Sequence, residues 1–127
     1  MPIEVPRQGG KNNGVAICVQ ATYGHIKRHL LVEWFETQRL LGVTYIGIYA
    51  SPMTHPETRR TLTQYDGTPL AQLRTIDYID GTSGKGHFLM VNLAAINDCI
   101  YRRLYTHQFV AVIDFDEVCL NVSPIPY

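Results

Sequence analysis

The feature that most constrains this chain is a short apolar run that ends in acidic residues. Residues 109–113 read Phe-Val-Ala-Val-Ile, and residues 114–117 (Asp-Phe-Asp-Glu) follow at once. Because the run is short, rich in β-branched residues and continuously apolar, it predicts a strand buried on both faces, as in the middle of a parallel sheet. Ligands bind beyond the carboxyl ends of such strands, so the acidic residues are predicted to lie at a ligand-binding edge.

Two of these acidic residues are candidate metal ligands. In an extended backbone Asp114 and Asp116 point to one side of the strand and Phe115 to the other. Two carboxylates placed in this way can hold Mn²⁺ or Mg²⁺, and the ion can in turn hold a diphosphate. The spacing leaves a second interpretation equally open, in which these residues form a solvated acidic turn.

The composition bounds the class of protein. A chain of 127 residues with 46% hydrophobic and 17% charged residues is typical of one globular domain. Its formal net charge is zero, so it lacks the basic excess of a nucleic-acid-binding protein, and we predict no nucleic-acid partner. No run approaches the ~18 apolar residues of a membrane span. Residues 1–14 are polar, contain Gly and Pro, and lack the apolar core of a signal peptide.

The order of the predicted elements gives the fold class. Strands are predicted at 15–19, 43–49, 70–78 and 109–113, helices at about 26–41, 56–65 and 88–106, and a loop at 80–86. Gln20–Gly24 and Ala50–Pro52 read as turns. Alternating strands and helices predict an α/β fold, a Rossmann-like three-layer sandwich with a mostly parallel sheet. The last helix is predicted to bury a stripe formed by Leu89, Leu93, Ile96, Ile100 and Leu104.

The positions of the cysteines and histidines along the sequence match no metal-binding motif. Cys18 and Cys99 lie in apolar segments and are predicted to be buried; a disulfide between two of the three cysteines, in an oxidising compartment, stays open without a choice of pair. The third cysteine, Cys119, completes no C-x-x-C pair. None of the five histidines has a partner at metal-ligand spacing, so surface or helix-capping roles are expected. The single tryptophan, Trp34, is predicted to lie in the core.

Three functions fit the acidic motif. A nucleotide-sugar transferase would use a metal ion to stabilise the leaving nucleoside diphosphate. A phosphohydrolase of the haloacid dehalogenase type would use Asp114 as its nucleophile, but that motif opens its domain, and here ten residues follow Glu117. The third possibility is a truncated, non-catalytic domain that binds a nucleotide sugar or nothing.

Four segments, in order and in spacing, resemble glycosyltransferase family 92, whose members have the GT-A fold. They are residues 15–24 (VAICVQATYG), 31–49 (LVEWFETQRLLGVTYIGIY), 93–102 (LAAINDCIYR) and 109–117 (FVAVIDFDE). On this resemblance, residues 1–14 are expected to be a flexible lead-in, 15–120 the nucleotide-sugar-binding half of a GT-A domain, and 121–127 a tail. The fold is then expected to be incomplete at its C-terminus, without the acceptor-binding half.

The resemblance implies an activity and its setting. It implies an inverting, Mn²⁺-dependent hexosyltransferase that moves a sugar, with galactose favoured, from a UDP-sugar to a glycan or glycoprotein acceptor. It also implies the lumenal side of the Golgi membrane, reached through an N-terminal membrane anchor that this chain does not contain.

The resemblance also implies residue roles. Asp114 and Asp116 match the metal-binding Asp-x-Asp motif, and Asp114 also serves the donor diphosphate. Thr22 and Tyr23 match the region that holds the nucleotide base, and Ser51 lies near the expected ribose site. Two further residues, Asn97 and Asp98, match a pair that either contacts the donor or has a structural role in the helix. No residue matches a catalytic base.

Three departures from the family pattern bear on these roles. Ala50 stands where the family usually has Asn, which weakens the ribose assignment, and Asn92 stands where Gln is usual. After Glu117 the family usually continues with Phe and further apolar residues, whereas here residues 118–120 (Val-Cys-Leu) are followed by a Pro-rich segment.

Overall fold

The computed structural model describes residues 12–76 and 84–117, and the side chains of residues 14–76 and 90–117. Strands and helices alternate along the described chain, as predicted. Their bounds are β1 Asn12–Gly24, α1 Arg28–Leu40, β2 Val43–Thr54, α2 Pro56–Tyr65, β3 Ala71–Thr75, α3 Gly84–Arg103 and β4 His107–Val112.

The described strands form one parallel sheet in the order β3-β2-β1-β4. Helices α1 and α2 cover one face, where Phe35 and Leu62 pack against Ile17 and Ile46. Helix α3 covers the other face, where Val91 and other α3 residues pack against β1 and β2. The predicted α/β class with three layers and a parallel sheet is confirmed. No described helix has the length and apolar character that crossing a membrane requires.

The position predicted for the Phe109 strand is wrong. Within the described chain β4 lies at the edge of the sheet, and its Phe109 and Val112 side chains are 59% and 40% exposed. The central place belongs to β1, which pairs with β2 and β4 and whose Ile17 and Cys18 are fully buried. An apolar sequence indicates that a strand tends to be buried. The position of that strand in the sheet depends on the topology of the whole chain.

The buried face predicted for α3 is only partly correct. Ile100 packs against the buried cluster, but the fully buried side chains are Val91, Ala95 and Cys99, and Leu93 and Leu104 are 46% and 37% exposed. The Leu89 side chain lies outside the described residues. Small side chains at this interface let the helix lie close to the strands. The predicted loop at 80–86 overlaps α3, because residues 84–86 are helical; its remaining residues lie outside the described chain.

A disulfide joins Cys18 of β1 to Cys99 of α3 and closes a separation of 81 residues. Both cysteines are buried, as predicted, and the structure supplies the pairing that the sequence did not specify. The bond lies above Gly47 of β2, where a Cβ atom would come within 2.8 Å of Cys99 Sγ. A glycine at this position therefore allows the helix and the sheet to be cross-linked.

Two strands, β1 and β2, are longer than predicted, and their length determines where their carboxyl ends lie. β1 starts at Asn12, inside the predicted lead-in, and continues to Gly24; β2 continues to Thr54, although turns were expected after residues 19 and 49. Parallel pairing of Thr22 with Ala50, and of Gly24 with Thr54, maintains both strands. The predicted helix ends agree well with the structure: Gly42 follows α1 with a φ of +90°, and Pro56 opens α2.

Candidate functional site

A cavity of about 670 Å³ opens at the carboxyl ends of β1 and β4. Its walls are the end of β1, the inner side of α1 and the acidic turn after β4. The lining residues are Val19, Gln20, Ala21, Thr22, Tyr23, Ile26, Leu30, Glu33, Trp34, Thr37, Asn92, Asp114, Phe115 and Asp116. This is the edge at which parallel α/β sheets bind ligands.

The acidic residues after β4 form a tight turn. The Glu117 N–H donates to the Asp114 carbonyl over 3.1 Å, and the Asp114 N–H donates to Glu117 Oε1 over 3.4 Å. As a result one carboxylate oxygen from each of Asp114, Asp116 and Glu117 lies within 4.8 Å of the other two. The turn, rather than the alternation of an extended strand, brings the predicted pair together. It also adds Glu117, which was predicted at the ligand-binding edge but not as a metal ligand.

The carboxylates repel one another in this turn. Partial burial raises the pKa of Asp114, and the charges of Glu117 and Asp116 raise it further. A divalent cation bound among these oxygens would remove both the repulsion and part of the desolvation penalty. Three carboxylates are a donor set that hard ions such as Mn²⁺ and Mg²⁺ accept, so the residues present fit the implied metal.

The raised pKa predicts a stability effect. Because the folded state holds the Asp114 proton more tightly than the unfolded state, ionisation of Asp114 lowers the free energy of unfolding as pH rises through this pKa window. Without metal, Asp114→Asn should therefore melt at a higher temperature than the parent at pH 7. The difference should disappear at a pH below the ordinary aspartate pKa. Melting curves in a chelator across this pH range test it, and an Asn variant that is less stable at pH 7 would contradict it.

Helix α1 holds the acidic turn in place. The Trp34 indole N–H donates to the Glu117 carbonyl over 2.7 Å, and Gln38 Nε2 donates to the same oxygen over 3.4 Å. The Phe115 ring packs edge-on against Trp34, with 4.9 Å between centroids. Trp34 is buried, as predicted, but its contact with the turn was not anticipated. The four-residue spacing of Trp34 and Gln38 on one helix face was the available signal.

We expect Trp34→Phe to weaken metal binding more than it weakens the fold. Phenylalanine keeps the aromatic packing but removes the N–H donor, at a cost of about 1 kcal/mol in the free energy of unfolding. Groups that orient metal ligands typically change metal affinity by roughly 10- to 100-fold. Mn²⁺ titration together with urea unfolding measures both effects. Leu62→Val, on the buried face of α2, is the stability-matched control. An equal loss of Mn²⁺ affinity in that variant would contradict the prediction.

Thr22 and Tyr23 lie where the nucleotide base was predicted. Both line the cavity, and Thr22 is 3% exposed. Among the described residues Thr22 Oγ1 has no hydrogen-bond partner, and neither has Asn92 Oδ1 across the cavity. Burial raises the pKa of Tyr23, so its phenol stays protonated. Both oxygens are buried, and a buried polar atom without a hydrogen-bond partner costs free energy in the folded state.

Ser51 does not line the cavity. It is 2% exposed, its hydroxyl donates to the Thr22 carbonyl over 2.8 Å, and it accepts the Met53 N–H. Thr54 Oγ1 donates to the same Thr22 carbonyl over 2.6 Å. The structure therefore gives Ser51 a role in fixing Thr22. A contact of Ser51 with the ribose stays a prediction.

Asn97 and Asp98 of α3 also lie outside the cavity lining. Asp98 accepts hydrogen bonds from the Tyr49 hydroxyl and, over 2.9 Å, from Arg102 Nε. Burial alone would raise the pKa of Asp98, but these two hydrogen bonds and the Arg102 charge outweigh it, and the pKa lies below its usual value. For Asp98 the geometry supports the structural alternative, and a donor contact for either residue stays a prediction.

The comparison with known families decides the family. The model of glycosyltransferase family 92 matches residues 13–123. The chain belongs to glycosyltransferase family 92. No curated protein and no solved structure matches it.

Membership of family 92 gives the general class of activity, glycosyl transfer from a sugar donor to a glycan acceptor. It removes the reason to consider a haloacid dehalogenase-type phosphohydrolase. In this family 92 chain Thr22, Tyr23, Asp114 and Asp116 share one cavity. Sequence reasoning missed the contributions of Glu117, Trp34 and Asn92.

Proposed function

We propose that this chain carries the donor-binding part of a metal-dependent, inverting glycosyltransferase that takes a UDP-sugar. One observation carries the proposal: three carboxylates converge at the end of β4, beside the cavity that the end of β1 also lines. Galactose as the sugar, inversion at the sugar carbon and a glycoprotein glycan as the acceptor rest on the family resemblance.

The residues of this chain divide the binding task between them. Asp114, Asp116 and Glu117 would hold Mn²⁺ or Mg²⁺, and Trp34 keeps their turn against α1. When bound, the ion supplies Lewis-acid stabilisation of the charge that develops on the leaving nucleoside diphosphate. Thr22 lines the same cavity, and its backbone carbonyl accepts a hydrogen bond from Ser51. This part of the cavity wall is therefore fixed before the donor arrives.

A second candidate is a non-catalytic domain that binds a nucleotide sugar. The sequence leaves it open, because no residue of this chain matches a catalytic base of the family. Both candidates require donor binding, and they differ in sugar transfer. Release of UDP from UDP-galactose, in the presence of Mn²⁺ and glycoprotein glycans, separates them.

The proposed location is the lumenal side of the Golgi membrane. The Cys18–Cys99 disulfide supports it, because such bonds persist in oxidising compartments and are rare in the cytosol. A membrane anchor outside this chain is part of the same proposal.

Binding of UDP with and without Mn²⁺ tests the proposed function. A ligand at 100 times its dissociation constant stabilises the folded state by about 2.7 kcal/mol, which corresponds to a rise of roughly 10 °C in melting temperature for a domain of this size. We expect that rise with Mn²⁺ and UDP together and only a small shift with either alone. Calorimetric binding of UDP that is unchanged by a chelator would overturn metal-dependent donor binding.

A further inference from the structure

A second group of side chains that could bind a metal ion lies beyond the ends of β1 and β2, and its residues do not line the cavity described above. It consists of His25 after β1, His55 at the N-terminus of α2, and Glu57 in the first turn of α2. One ligand atom of each lies within 4.8 Å of the other two. We propose that this cluster binds Zn²⁺ through two imidazole nitrogens and one carboxylate oxygen.

The backbone beneath the cluster is fixed by hydrogen bonds. The His55 N–H donates to the Gly24 carbonyl over 2.8 Å. The Ile26 N–H donates to Thr58 Oγ1 over 2.8 Å, and that hydroxyl donates back to the Ile26 carbonyl over 3.1 Å. The segment that carries His25 is therefore bound to the start of α2 on both sides of the histidine. The three proposed ligands are exposed, so their side chains can turn toward a common ion.

The present side-chain distances are close to those that zinc requires. Two ligand atoms of a tetrahedral Zn²⁺ ion are separated by about 3.3 Å, as follows from bond lengths of about 2.0–2.1 Å. His25 Nε2 and Glu57 Oε2 are already 3.0 Å apart, and the two imidazole ring centroids are 4.2 Å apart. His55 must give up the hydrogen bond that its Nδ1 now accepts from the Glu57 N–H, because Nδ1 either binds the ion itself or carries the ring proton when Nε2 binds it. Zinc binding thus exchanges one helix-capping hydrogen bond for a coordinate bond.

Ligand chemistry separates this cluster from the acidic turn. Imidazole nitrogens favour zinc and similar transition-metal ions, whereas an all-carboxylate set favours Mg²⁺ and Mn²⁺. The cluster is also adjacent to the cavity through the chain, because Tyr23 and Ile26, which flank its His25 segment, line the cavity. A zinc ion here would restrain this part of the cavity wall. The proposal does not depend on the activity proposed above.

The test is a Zn²⁺ titration of the full chain against a chromophoric chelator. A Cys119→Ser background removes the one cysteine outside the disulfide, so that no thiol competes for zinc. We expect one zinc ion per chain, and at least about tenfold weaker binding in His25→Gln and in His55→Asn. Asparagine at position 55 keeps a side-chain acceptor suited to the helix N-cap, so loss of the cap cannot explain the result. The matched control is His29→Gln, an exposed histidine outside the cluster, which should bind zinc as the parent does.

Two results would overturn the proposal. One is a Zn²⁺ affinity that His25→Gln leaves unchanged while Asp116→Asn lowers it, which would place the ion at the acidic turn. The second test needs no variant. Cu²⁺ added to the parent is expected to give an electron paramagnetic resonance spectrum with coupling to imidazole nitrogens. A spectrum without nitrogen coupling would overturn the proposal, because it would show that the histidines do not bind the ion.

Discussion

Replacing Asp114 or Asp116 with asparagine is expected to weaken Mn²⁺-dependent UDP binding at least about a hundredfold. Each substitution keeps the size of the side chain but removes a negative oxygen from a group whose ligand atoms lie within 4.8 Å of one another. Because the ion joins the protein to the diphosphate, its loss also removes the donor. Calorimetric titration of UDP into each variant, at fixed Mn²⁺, measures the effect.

The control for this pair is Glu36→Gln, which neutralises an exposed carboxylate of α1 that does not line the cavity. It should bind UDP as the parent does. Equal UDP binding by the parent, both aspartate variants and the control would exclude the metal site. Glu117→Gln adds a separate result, because only a direct ligand role for Glu117 predicts that its loss also lowers Mn²⁺ affinity.

Removal of the Cys18–Cys99 disulfide should produce the largest loss of stability. Cross-linking residues separated by 81 positions restricts the unfolded chain by about 4.5 kcal/mol in the loop-entropy account. Since domains of this kind have total stabilities of about 5–15 kcal/mol, the Cys18→Ala/Cys99→Ala variant should be close to unfolding at 37 °C. Urea unfolding under oxidising conditions compares the variant with the parent.

The reductant dependence provides the control for the disulfide prediction. A thiol reductant should lower the midpoint of the parent toward that of the double alanine variant and leave the variant unchanged. Equal unfolding midpoints for both proteins under oxidising conditions would show that the bond contributes nothing to the fold.

Local sequence patterns predicted the helices and strands well, because the formation of a helix or a strand depends mainly on residues that are close together in the sequence. The strand–helix alternation, Gly42 after α1 and Pro56 at the start of α2 all follow from hydrophobic period and backbone preference. The buried face of α3 did not follow in this way. Its larger apolar residues suggested one stripe, but the helix packs through Ala95 and Cys99, because Cys99 is bonded to a strand 81 residues away.

The residues of the candidate site also fall into two groups: those that a local motif predicts and those that are brought together only by the fold. Asp114 and Asp116 could be identified from a motif, since both lie within three residues of each other on the chain. The contact of Trp34 with the Glu117 carbonyl joins positions 83 residues apart, and His25 meets Glu57 across 32 residues. Ser51 shows the converse case: its place at the end of a strand suggested a ligand contact, but the longer strands in the structure direct its hydroxyl to the Thr22 backbone.

The indole of Trp34 touches the acidic turn through its N–H and packs against Phe115 inside it. Trp34 is also the only tryptophan in the chain. The protein therefore contains its own fluorophore at the point where a paramagnetic ion such as Mn²⁺ would quench the emission. Occupancy of the turn can be followed optically in the unlabelled chain.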